Sequence, residues 1–267
     1  MIKIKSLILF NALSFILQAG LFYSLHFQLI DPNTLSKITD PYNSLLAPPT
    51  GMTFKIWGVI YTALAIFCLY HFKMGYTRYE KHPANQDIAR MHIFFIVNNL
   101  AAAGWLITTS NGNLPASLYL IAVQFITLIK IHQRLNIYKR HRRVRSNICT
   151  QFPLSIYPGW LSMVALAGIS AYLGLSTALW IVILIGVIVF IALLVMFFRH
   201  NIFYGLMIII GLYGIILKTE LLKVDAYDIS LTAWIGIGIL IMASLIKLII
   251  DFRLKGPSES FHRKAFD

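Results

Sequence analysis

The chain has 267 residues, of which 58% are hydrophobic and only 12% charged, and it carries a net charge of +13. Soluble domains are about half apolar and about a quarter charged, so this composition excludes an ordinary soluble enzyme or binding domain. Uncharged runs such as LWIVILIGVIVFIALLVMFF recur along the whole length without the alternation of a barrel strand. Backbone groups in lipid find partners only within helices or closed barrels, which leaves an all-α, polytopic membrane helix bundle.

Taken in chain order, the predicted spans are 6–27, 54–72, 92–109, 114–134, 153–173, 178–198, 201–217 and 230–250, about eight transmembrane helices. The third and seventh are the shortest. The N-terminal MIKIK and its apolar run have the look of a signal peptide. The run is longer than a typical h-region and lacks a small-x-small cleavage site, so it reads as a first helix. Eight spans put both termini on one side. Nineteen of the 23 Lys and Arg residues then fall on that side, leaving Lys37, Lys55, Lys218 and Lys223 on the other. By the positive-inside rule both termini are expected to be cytoplasmic, and Ile- and Lys-rich usage points to a bacterial inner membrane as the expected location. The basic total follows from the same rule: KRHRRVR at 139–145 faces anionic membrane lipid, and no nucleic-acid partner is expected.

The outer side holds one long loop, about residues 28–53, which ends in Ala47 to Tyr61, APPTGMTFKIWGVIY. Pro48 and Pro49 cannot continue a helix, and Gly51 reads as a turn residue. Phe54, Ile56, Trp57 and Tyr61 follow at the start of the second span. A Pro-rich loop diving into an aromatic-headed helix is either a lid over a cavity or a rigid turn under an interfacial aromatic belt.

Ionisable chemistry is sparse. All ten acidic residues fall in predicted loops or at predicted helix ends, where no proton relay across the bilayer is made, which disfavours an ion pump. Lys130 and Lys247, near inner helix ends, are expected to snorkel. Cys68 and Cys149 have no CxxC spacing, and no metal site or disulfide is expected. His71, His92 and His132 fall near one level at the inner ends of three helices, where two of them would have to lie close together to ligate haem. No nucleophile–base motif is present. The interior instead carries mild polarity at helical spacing: Asn11, Ser14 and Gln18; Asn98 and Asn99; Ser117, Gln124 and Thr127; Ser155 and Ser162. These groups either hold helices together or line a cavity for a hydrophobic ligand with a few polar atoms.

Three stretches in order resemble the TspO/MBR family, the translocator or tryptophan-rich sensory proteins. They are Pro48-Pro49 with Phe54 to Tyr61, Trp105 to Pro115 with Ser117-Leu118, and Phe152 to Trp160 (FPLSIYPGW). Together they cover roughly residues 6–173, and RHNIFYGLMIIIGLYGIILKT (199–219) is similar to an extended bacterial branch with extra C-terminal helices. The resemblance implies a TspO-like five-helix bundle at 1–175, three additional helices at 176–252 and a cytoplasmic tail at 253–267. It also implies a pocket beneath the long loop that binds porphyrin- or sterol-like molecules, haem among them. Its ligand-binding positions would be Phe54, Ile56, Trp57, Tyr61, Trp105, Tyr157 and Trp160, under a lid of Pro48, Pro49 and Gly51. The chain departs from the family pattern at Ala102 and Gly168, where relatives often carry asparagine, and at Thr109, where a second tryptophan is expected.

The function expected on these grounds is a sensor, carrier or regulator that binds a hydrophobic small molecule, without catalysis and with a homodimer as a partner state. Two rivals stand beside it. One is an assembly protein whose Gly205, Gly211, Gly214, Gly236 and Gly238 serve helix packing. The other is an enzyme performing light-dependent porphyrin breakdown, as suggested for the family.

Overall fold

The computed structural model describes residues 4–27, 46–78, 82–137, 146–222 and 227–253. Residues 28–45 of the predicted outer loop, the basic run at 139–145 and the tail beyond 253 lie outside the described residues, as do Lys3, Lys37, Lys81 and Lys223.

Among the described residues there are nine α-helices and no strand. They are α1 (Ile4–His26), α2 (Thr50–Thr77), α3 (Pro83–Met91), α4 (Phe94–Ser110), α5 (Leu114–Leu135), α6 (Phe152–Leu173), α7 (Ala178–Phe198), α8 (Ile202–Leu222) and α9 (Tyr227–Arg253). A π-helical turn, Asn147–Gln151, leads into α6. Seven helices are long and apolar enough to cross a membrane, and α3 with α4 supplies an eighth span if the bent pair counts as one.

That bend corrects the third predicted span. Instead of a single helix from residue 92, the chain makes the short α3, turns by 58°, and begins α4 at Phe94. His82 and Pro83 set the start of α3: the His82 Nδ1 accepts from the Ala84 N–H at 3.3 Å, and proline at the first position needs no helical partner. The break itself falls at His92, whose φ of 54° takes the chain out of the helical region. α4 then folds back into α5 through Asn111–Asn113, where Gly112 adopts φ 70° and the Asn113 side chain caps the Ala116 N–H at 3.2 Å.

The second span is longer than predicted, and Gly51 is not the turn residue the sequence suggests. The turn is complete at Pro49, whose carbonyl accepts from the N–H groups of both Met52 and Thr53, so Gly51 already lies in the first turn of α2. Pro49 itself is extended (φ −52°, ψ 142°), and the restriction imposed by Pro48 and Pro49 suffices to turn the chain.

Two apolar cores share α6. The first gathers buried side chains of α1, α2, α4, α5 and α6, with Phe67, Phe95 and Trp160 at its centre and Met207 joining from α8. The second gathers α7, α8 and α9 around Ile185, Leu212 and Ile215, joined by Met163, Leu166 and Ala167 of α6 and by Leu46. In lipid no water is expelled between helices, so close backbone approach and dispersion hold such a bundle together. Gly159 is the clearest case. A Cβ there would stand 2.8 Å from the Met207 Cβ and 2.9 Å from the Tyr204 carbonyl oxygen, so α6 and α8 touch through it. The glycines of α8 and α9 are used likewise: Gly205 against Met196, Gly211 against Met163 and Gly236 against Val189, whereas Gly238 has nothing within 4 Å.

Lys247 does not snorkel. Because α9 continues to Arg253, Asp251 lies one turn further along the helix and takes the Lys247 ammonium at 2.7 Å, leaving the lysine buried. A cation among helices needs such a partner, and the i,i+4 spacing provides it.

Candidate functional site

α2 presents Trp57 and Tyr61 one turn apart on one face, so their rings stack at 5.6 Å with an interplanar angle of 27°. Trp105 of α4 approaches Trp57 at 5.7 Å, and Tyr157 of α6 meets it edge-on at 6.1 Å. Four of the predicted ligand-binding residues from three helices therefore form one cluster, each almost wholly shielded from outside the bundle. Phe54 lies at its edge, 5.9 Å from the ring of Phe22, and Ile56 is buried in the same core. Trp160 belongs to that core too, but among the described residues it makes no ring contact with another aromatic side chain and its indole N–H has no acceptor.

The sequence reading missed Phe22, which is the hub on the α1 side. Its ring lies 4.6 Å from Tyr61, 6.3 Å from Trp57 and 5.9 Å from Phe54. A signal for it exists: Phe22 continues the stripe of Asn11, Ser14 and Gln18 by one further turn, so the face that carries the polar groups carries this ring as well. Phe15 adds a further ring on the α1 side, 6.4 Å from Tyr61.

A polar girdle holds these rings. The Gln18 amide N–H donates to the Tyr61 hydroxyl at 3.2 Å, and the Tyr157 hydroxyl donates to the Gln124 Oε1 at 2.7 Å. Both phenols are thereby fixed at one end while the ring faces stay apolar, the usual arrangement for a buried tyrosine. The Asn98 amide donates to the Gln124 carbonyl at 3.1 Å and to the Thr127 hydroxyl at 2.9 Å, tying α4 to α5. Asn99 donates to the Ser14 hydroxyl at 3.0 Å, tying α4 to α1. Thr109, at the position of the absent tryptophan, is buried and hydrogen-bonds Ser117 at 3.0 Å, so a small polar pair replaces a ring there.

The proline segment reaches the other half of the molecule. Pro48 and Met52 lie on Gly214 of α8: a Cβ at Gly214 would stand 2.5 Å from the Pro48 Cβ and 2.9 Å from its Cγ. Leu46 is fully buried within the second core. The start of α2, which positions Phe54 and Trp57, is thus anchored on the C-terminal helices.

The three histidines at the inner ends have separate employments. The His71 Nε2 pairs with Thr150 of the π turn at 3.1 Å, the His132 Nδ1 pairs with the Leu128 carbonyl at 2.7 Å, and His92 forms the bend before α4. Among the described residues no group of three or more His, Cys, Asp or Glu side chains is placed to hold a metal ion. Cys68 and Cys149 are not joined in a disulfide.

A bundle of long apolar helices enclosing a buried aromatic cluster defines an integral membrane protein of the helical class. The family model described as TSPO-like protein matches residues 8–246, nearly the whole chain including the three C-terminal helices, and the chain belongs to that family. Searches of curated proteins and of solved structures returned no match.

Proposed function

We propose that this protein binds a flat hydrophobic molecule, porphyrin- or sterol-like, at the cluster of Trp57, Tyr61, Trp105 and Tyr157, and that it acts as a sensor, carrier or regulator rather than as an enzyme. The observation that carries this reading is the convergence of those four rings from three helices, with hydroxyl and amide groups around their rim. Trp57 and Tyr61 share α2 and move as a unit. Trp105 and Tyr157 stand on separate helices, so a small parting of α2 from α4 and α6 opens a slot between aromatic faces, which a conjugated ring can fill. Pro48, Pro49 and the first turn of α2 cover that end of the helix, and their seat on Gly214 gives the C-terminal helices a hold on the cover. The distribution of Lys and Arg supports cytoplasmic termini in a bacterial inner membrane, with the covered end facing outward.

Intrinsic tryptophan fluorescence tests the reading. In detergent, protoporphyrin and haem are expected to quench wild-type emission saturably, with weaker binding in the Trp57→Phe/Trp160→Phe protein. Quenching that rises linearly and equally in both proteins indicates partition into the micelle and overturns the assignment.

A further inference from the structure

Two asparagines on α4 spend their N–H groups on the fold and leave their oxygens with nothing to accept. The orientation of each is fixed by its neighbours. Thr127 donates its own proton to the carbonyls of Val123 and Gln124, so towards Asn98 both Thr127 Oγ1 and the Gln124 carbonyl are acceptors, and only the amide nitrogen of Asn98 suits them. Ser14 likewise donates to the Asn11 carbonyl at 3.1 Å, and its oxygen accepts from the Asn99 amide N–H at 3.0 Å. The Oδ1 atoms of Asn98 and Asn99 are then carbonyl acceptors, fully buried, with no donor among the described residues. Asn11, one turn before Ser14 on α1, has both amide atoms buried and without a partner among the described residues. In a bilayer such groups are costly unless something donates to them.

Their position ties them to the aromatic cluster. Asn98 lies two turns from Trp105 on the same face of α4, roughly 10 Å along the axis. Gln124, whose carbonyl holds Asn98, also holds the Tyr157 hydroxyl. On α1, Asn11 shares its face with Gln18, the partner of Tyr61.

We infer that Asn98, Asn99 and Asn11 form a polar subsite about two helical turns from the rings, which accepts hydrogen bonds from neutral N–H or O–H groups of the bound molecule. This rests on the ligand-binding reading above and narrows it: the bound molecule is a hydrophobic ring system bearing hydrogen-bond donors, not a pure hydrocarbon and not an acceptor-only ketone. Trapped water is the other source of the same donors, and the experiment separates the two.

Protoporphyrin in its protonated, uncharged acid form, whose two carboxyl O–H groups are donors, is the probe. Its affinity is measured for the wild type, for Asn98→Leu/Asn99→Leu and for Asn11→Leu. The last variant loses no internal side-chain bond, so its folding is not at issue. A lost hydrogen bond to a ligand weakens binding by several-fold to about tenfold, so the double variant is expected to bind about tenfold more weakly and Asn11→Leu several-fold more weakly. In protein carrying asparagine with a carbon-13 side-chain carbonyl, that carbonyl's infrared band is expected to move to lower frequency on saturation, by less in the double variant. Equal affinities in all three proteins overturn the subsite while leaving the aromatic site standing. A band already lowered without protoporphyrin and unmoved by it assigns the donors to water and also overturns it. Absence of saturable binding in the wild type removes the ligand-binding reading and the subsite together.

Discussion

Gly159→Val is expected to be among the most damaging single substitutions in this chain. The added carbon would stand 2.9 Å from a backbone oxygen of α8 and 2.8 Å from the Met207 Cβ, neither of which is the mobile end of a flexible side chain. The two helices must therefore separate, and separation breaks the contacts that follow along α6. One is the 2.7 Å hydrogen bond between Ser162 and Tyr204, and another is the fit of Met163 on Gly211. Overpacking in a close-packed interior costs about 1–3 kcal/mol, and the contact with backbone places this variant towards the upper end. Thermal unfolding in detergent is the check, with Gly238→Val as the control because that position faces open space. A midpoint for Gly159→Val equal to that of the control would contradict the close approach of α6 and α8.

Trp57→Ala is expected to damage stability and binding together. Its ring touches Phe22, Tyr61, Trp105 and Tyr157, so truncation leaves a void that four side chains on four helices would have to fill. Large-to-small changes of buried aromatics cost about 3–5 kcal/mol in soluble cores. Inside a bilayer the loss is one of packing rather than of shelter from water, which argues for about 3 kcal/mol here. Trp180→Ala supplies the comparison, since Trp180 is 46% exposed and its ring faces the outside of the bundle. A fall in midpoint no greater than that of Trp180→Ala would remove Trp57 from the centre of the cluster. Protoporphyrin affinity unchanged in Trp57→Ala would separate the cluster from any binding role.

Much of the architecture was legible because membrane helices advertise themselves through length and continuous apolarity. Seven spans sit within a few residues of their predicted limits or extend past them. The extensions have local causes: α2 starts at Thr50 because two prolines complete the turn before Gly51, and α9 runs on because Lys247 and Asp251 neutralise each other within the helix. The bend at His92 was not legible, since a positive φ at a histidine leaves no mark in composition. At the site, Trp57, Tyr61, Trp105 and Tyr157, positions that only the resemblance singled out, lie together, whereas Trp160 makes no ring contact among the described residues. The polar stripes on α1, α4 and α5 were visible as stripes. Which stripe faces which was not, because periodicity gives a face and tertiary packing chooses its neighbour. The anchoring of Pro48 on Gly214 spans more than 160 residues, and nothing local signals it.

The central claim is that a ring molecule lodges among Trp57, Trp105 and Tyr157. Fluorine NMR of protein labelled with 5-fluorotryptophan tests it most directly, because the five tryptophans report separately and a porphyrin's ring current shifts only its close neighbours. On titration with protoporphyrin, the resonances of Trp57 and Trp105 are predicted to move and saturate, while those of the outward-facing Trp180 and Trp234 stay in place. Movement confined to Trp180 and Trp234, or equal drift of all five, would contradict the account and assign the porphyrin to the lipid-facing surface.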